Sequence, residues 1–119
     1  MKVIIAGTRT VAEMRYLHRV LVTTELPITT ILTGGARGVD TLALRYAKQH
    51  GIPCEVYPAD WETHGRAAGP IRNRTMAQHG EALIALWDGC SAGTRNMIET
   101  MRGYGKPVEV YLLPNCTRL

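Results

Sequence analysis

Phenylalanine is absent from these 119 residues, and aromatic side chains make up only 6%. That leaves little stacking surface for a protein that would track single-stranded nucleic acid along rows of aromatic platforms, and it argues against nucleic acid as a partner. Cysteine occurs three times, as Cys54, Cys90 and Cys116. The three are far apart, with no CxxC and no cysteine–histidine pair at ligand spacing, so neither a disulfide framework nor a zinc site is indicated; reduced thiols and no metal are expected. No apolar run approaches the ~20 residues of a membrane span. Met1-Lys2-Val3-Ile4-Ile5-Ala6 enters a strand pattern directly, without the leader of a signal peptide, so the expectation is a cytoplasmic protein with no membrane partner. Both familiar nucleotide fingerprints are missing too: there is no GxGxxG after the first strand and no GxxxxGKS or GxxxxGKT anywhere, which argues against a dehydrogenase or a P-loop ATPase.

What the chain does have is four glycine-bearing turns, each where an apolar strand pattern gives way to a helical one. They are Ala6-Gly7-Thr8-Arg9, Gly34-Gly35-Ala36-Arg37-Gly38, Ala68-Gly69-Pro70-Ile71-Arg72-Asn73-Arg74 and Asp88-Gly89-Cys90-Ser91-Ala92-Gly93-Thr94. Glycine at such a junction lets backbone N–H groups approach an anion, and the following helix aims its positive end at the same spot. Net charge is only +4, yet eleven of the fourteen cationic residues are arginine. Six of them, Arg9, Arg37, Arg66, Arg72, Arg74 and Arg95, sit in or beside the turns. A guanidinium is a planar fork suited to phosphate oxygens, whereas a merely solubilising face would more often use lysine. Scattered surface arginine is the plain alternative; the clustering favours anion binding.

Read for periodicity, the chain alternates strands and helices. Val3–Ala6 is a buried strand, and Thr10-Val11-Ala12-Glu13 matches a capping box opening a helix through about Leu26, with Pro27 as its stop. Ile28–Thr33 is the second strand, followed by a helix from about Gly38 to His50 that Gly51 ends. Pro53–Tyr57 is the third strand. An irregular stretch, Pro58–Gly69, then leads to Pro70 at a first helical position and a helix to about His79. Ala82–Leu86 is the fourth strand, Gly93-Thr94 opens a helix to about Gly103, and Val108–Leu113 is the fifth strand. The alternation predicts a Rossmann-like doubly wound parallel sheet of about five strands, order 3-2-1-4-5, with helices on both faces. One domain over residues 1–113 and a loosely held tail at 114–119 are expected. Ligands of such sheets bind beyond the carboxyl ends of the strands where the order reverses, here between the Gly7 and Gly93 loops.

Each loop residue has a chemical reading and a plainer one. Gly34, Gly35, Ala36 and Gly38 can form a backbone nest with Arg37 as a fork, or an empty tight turn. Asp40 sits in the first helical turn, as a site carboxylate or as a dipole partner. Thr94 either caps its helix or donates to a phosphate beside the N–H of Gly93. Arg72, Asn73 and Arg74 cannot all face one point at 100° per residue, and Arg72 is favoured for the ligand. Trp61 can stack on a base or pack as a lid. Asp60 can accept from a ribose hydroxyl or a base, or shape an Asx turn. With Gly7, Thr8 and Arg9 from the first turn and Asp88 and Ser91 from the fourth, these residues make up the expected phosphate or nucleotide site.

Taken in order, Val3-Ile4-Ile5-Ala6-Gly7-Thr8-Arg9, Thr33 through Asp40, Pro58-Ala59-Asp60-Trp61, Gly69 through Arg74 and Asp88-Gly89 through Gly93-Thr94 resemble the YspA-related (YAcAr) branch of the SLOG superfamily of Rossmann-like nucleotide-binding domains. Thr8 stands where that branch has serine, and keeps the hydroxyl. The resemblance implies binding of a nucleotide or nucleotide-derived small molecule, no separate cofactor, and a homodimer or larger homo-oligomer. The related LOG phosphoribohydrolases pair an arginine with a glutamate after a Gly-Gly-x-Gly-Thr loop. Their arginine carries over to Arg72; their glutamate does not, because Met97 stands there and Glu99 is rotated away. Cleaving an N-glycosidic bond passes through an oxocarbenium-like state that wants a carboxylate, and Asp40, Asp60, Asp88 and Glu99 all stand as candidates, with Arg72 and Asp40 taken as the catalytic pair. A nucleotide sensor or sequestering domain, a nucleoside 5′-monophosphate phosphoribohydrolase, and, through the DprA/Smf relatives, a single-stranded nucleic-acid binder are the three functions implied, in that order.

Overall fold

The computed structural model describes residues 1–11 and 13–119. Its sheet has the order β3-β2-β1-β4-β5-β6. The strands are β1 (Lys2–Gly7), β2 (Thr30–Thr33), β3 (Cys54–Val56), β4 (Ala82–Trp87), β5 (Val108–Leu112) and β6 (Thr117–Arg118). The first five are parallel in the expected order, and the fold is Rossmann-like.

Burial on both faces explains why these strands read as continuous apolar runs rather than as alternating ones. In β1, Val3 and Ile5 pack on one side with Ile31, Ile84 and Leu86; Leu17 and Val20 of α1 (Met14–Thr23) and Val39, Leu42 and Ala43 of α2 (Val39–His50) cover them. Ile4 and Ala6 point the other way with Leu32, Leu83, Ala85 and Val110, under Met76 and Ala77 of α4 (Ala68–His79) and Met97, Ile98 and Met101 of α5 (Ala92–Gly103).

Three local expectations change. The tail returns as β6, antiparallel to β5 through Tyr111–Arg118 and Leu112–Thr117, and the Leu119 N–H donates to the Val110 carbonyl at 2.8 Å. The edge of β5 otherwise presents unpaired backbone groups, and turn residues such as Pro114 and Asn115 let the chain fold back onto it. Helix α1 begins at Met14, with Glu13 at its N-cap and no side-chain cap bond, not at Thr10; Ala12 of the proposed capping box lies outside the described residues. The stretch after β3 is ordered as α3 (Trp61–His64) and a 3-10 turn (Gly65–Ala67) running into α4. Pro70 is therefore the third residue of α4, still in the first turn, where a missing N–H costs nothing.

Strand β1 lies between β2 and β4, so the chain order reverses there and opens a crevice beyond the carboxyl ends of β1 and β4. Among the described residues no helix is long and apolar enough to cross a membrane.

Candidate functional site

A cleft of about 410 Å³ occupies that crevice. Thr8 ties the loops around it together. Its N–H donates to the Leu86 carbonyl at 3.0 Å, its hydroxyl oxygen accepts from the Asp88 N–H at 3.0 Å, and its carbonyl accepts from the Val39 N–H at 3.3 Å. The first, second and fourth turns thus meet on one buried threonine. Gly38 makes this approach feasible: its φ is +77°, and a Cβ there would strike the Thr8 carbonyl.

In the fourth turn Asp88 is the organiser. Its Oδ1 accepts from the N–H groups of Ser91 at 2.7 Å and Cys90 at 2.8 Å, and its Oδ2 from the Ser91 hydroxyl at 3.1 Å. The Ser91 amide, foremost, holds the Asp88 carboxyl below its ordinary pKa. Ser91 occupies the N-cap of α5 without making a side-chain cap bond, and the Arg95 N–H donates to the Ser91 carbonyl at 3.1 Å. The N–H groups of Ala92, Gly93 and Thr94 have no partner among the described residues, and all three residues line the cleft. A helix N-terminus with its first amides unspent, lining a concavity, offers fixed donors and a positive dipole end to an anion.

Opposite lies a polar cluster drawn from α2 and α4. Asp40 is buried, accepts from the Ala36 N–H at 3.1 Å, and is pushed up to about 6 by that burial, against the pull of the Ala36 amide, Arg72 and Arg9. Arg72 donates from Nη1 to the Gly34 carbonyl at 2.7 Å and the Tyr57 carbonyl at 3.3 Å, and from Nε to Asn73 Oδ1 at 3.0 Å. Asn73 is buried and donates to the Gly93 carbonyl at 3.3 Å and to Asn96 at 2.9 Å, linking α4 to α5. Gly34 is glycine because a Cβ would run into the Arg72 guanidinium and stand 2.9 Å from Asp40 Oδ2.

Of the residues singled out from sequence, Gly7, Thr8, Arg9, Ala36, Asp40, Arg72, Asn73, Asp88, Ser91, Gly93 and Thr94 line this cleft. Gly34, Gly35 and Trp61 line a smaller cavity of about 160 Å³ that shares Arg9, Ala36 and Arg72 with it. Gly38 serves loop packing, and Arg37 is exposed and lines neither cavity. Asp60 is not brought to the cleft. It accepts from the Thr63 N–H at 3.1 Å at the start of α3 and lines a third cavity of about 230 Å³ with His64, Ile71 and Thr75. Arg74 and Glu99 are exposed and outside the cleft lining, as the helical rotation requires. Sequence reasoning missed Ala6, Thr10, Met76, Ala92 and Met97 as lining residues. The methionines carried only the signature of helix faces turned inward, which does not reveal that the top of such a face floors a cleft.

Two comparisons bear on the family of this chain. The family model described as the YspA, cpYpsA-related SLOG family matches residues 1–64. The Gene 61 protein of Mycobacterium phage D29 is 39% identical over 84 residues, covering 66% of this chain and 67% of that protein.

Proposed function

Since the chain belongs to the YspA, cpYpsA-related SLOG family, whose membership points to a nucleotide-related role, we propose that the cleft binds a nucleotide or nucleotide-derived small molecule with a phosphate against the N-terminus of α5. The observation that carries this reading is the trio of unpartnered amides at Ala92, Gly93 and Thr94 sharing one cleft with Arg9 and Arg72. Amides supply fixed donors and the arginines supply charge, the combination that phosphate oxygens need. The cleft volume falls within the range of about 300–1,000 Å³ usual for small-molecule sites. Calorimetry against mono-, di- and cyclic nucleotides and ADP-ribose derivatives tests it. Heat with at least one ligand, weakened tenfold or more in Arg72→Ala, is expected; no heat with any of them overturns the reading.

One observation favours a catalytic version. Asp40 is a buried carboxyl with a pKa of about 6 in the same cleft, close to the value at which a carboxyl both takes and gives a proton near neutrality. In this version Asp40 takes a proton from water as the water attacks C1′ of a nucleoside 5′-monophosphate, the C1′–N bond breaks with its electron pair going to the base nitrogen, the base takes up a proton from solvent, and Asp40 returns its own to solvent, leaving free base and ribose 5-phosphate. Arg72 would hold the sugar phosphate. Chromatography for free base after incubation decides it, and an Arg72→Ala or Asp40→Asn protein with full turnover would remove the mechanism.

A further inference from the structure

The smaller cavity beside the cleft has a composition that phosphate binding does not use. Its volume of about 160 Å³ is the room of about five waters at ~30 Å³ each, enough for one flat heterocycle and too little for a second nucleoside. Trp61, Pro58, Ala59 and the backbone turn of Gly34–Ala36 wall it, and Arg9 and Arg72 line both this cavity and the main cleft. Trp61 is 51% exposed. The α3 turn that carries it is capped by Asp60, and its ring lies against Gly69, where a Cβ would stand 3.5 Å from Cη2. No side chain here pairs a donor with an acceptor: the arginines only donate, the indole offers one N–H, and the rest are apolar or glycine. Such a surface can hold a π-face, and to a base edge its side chains offer donors alone.

Resting on the reading that the main cleft holds the phosphate, we infer that this cavity takes the heterocyclic base of the ligand, stacked on the Trp61 indole beside the Arg9 guanidinium. The ligand then runs from the amides of α5, past Arg72, to Trp61. The protein separates nucleotides from bare sugar phosphates by stacking, for which every base offers a π-face. Base–aromatic stacking is worth ~10-fold to 100-fold in affinity.

Calorimetry with ribose 5-phosphate and the four common ribonucleoside 5′-monophosphates, on the wild type, Trp61→Ala and Trp61→Phe, tests this. Ribose 5-phosphate binds all three proteins equally. The nucleotides bind the wild type ~10-fold or more tighter than ribose 5-phosphate and within ~10-fold of one another. Trp61→Ala loses that advantage, and Trp61→Phe keeps most of it. Nucleotides that gain nothing over ribose 5-phosphate, an advantage that survives Trp61→Ala, or a preference for one base beyond ~100-fold overturns the base site alone. If neither ribose 5-phosphate nor any nucleotide binds the wild type, the cleft reading falls and takes the base site with it. Because Trp61 is half exposed, its replacement leaves the core intact, and equal thermal midpoints of the three proteins verify this.

Discussion

Asp40 sits at the focus of the site and works against the fold. Burial lifts its pKa from 3.8 to about 6, so the native chain holds that proton more tightly than the unfolded one. Between those values the folded state binds more protons, and stability falls as pH climbs from about 4 to about 6. Above that window the cost is fully present, at ~3 kcal/mol. Asp88 and Asp60 have lowered pKa values and contribute the opposite slope, lost as pH falls. Comparing Asp40→Asn with the wild type cancels them. In urea unfolding the two proteins should be equally stable below about pH 3.5, with the variant more stable by ~3 kcal/mol above pH 7; equal stability at both pH values would contradict the burial argument.

Gly34 offers a second residue-level test. Its replacement by alanine forces the Arg72 guanidinium off the Gly34 carbonyl. We expect nucleotide affinity to fall tenfold or more and stability by ~1–3 kcal/mol, checked by calorimetry and thermal unfolding. The glycines and Arg72 were legible in sequence because residue type and position after a strand point to backbone approach and charge. Asp60 stayed open between a ligand acceptor and an Asx turn, because a carboxylate at a loop end has the same local spelling in both roles; here the cap prevailed. Nor could spacing tell that Asp40 would be buried.

At the scale of elements, the end of α5 depends on the turn before it. Asp88 holds two amides and a hydroxyl of that turn, so the unspent N–H groups of the helix are aimed by a carboxylate that need not touch the ligand. Asp88→Ala should cost ~1 kcal/mol of stability and weaken nucleotide binding roughly tenfold, while Asp88→Asn, which keeps an acceptor, should recover much of both. Full affinity in Asp88→Ala would show that the turn does not position the helix. Helix and strand interiors were readable from periodicity, as with Met97, Ile98 and Met101 on one face of α5. Ends were less so. Thr10 spells a cap, yet α1 begins at Met14, while Thr8 and Gly38 fasten the first turn to the second. The two-residue strand β6 carries no apolar alternation to announce itself; its place is set by the open edge of β5.

Over the whole molecule, strand order was recoverable because right-handed crossovers on a parallel sheet leave few arrangements, and the order fixes where the crevice opens. That is why turns distant in sequence could be assigned to one rim before any geometry was known. Which side chains share one cavity was not recoverable, since it depends on contacts such as Thr8 to Asp88 and Asn73 to Gly93 that join different turns and helices. The most direct test of the account is a titration of the isotope-labelled protein with adenosine 5′-monophosphate, followed through backbone amide chemical shifts. The account predicts that the largest changes fall on Gly7–Thr10, Ala36 and Ala92–Thr94, at the carboxyl rim of the sheet. Saturable shifts confined to the opposite rim, or no shifts at all with any nucleotide of the panel, would contradict it.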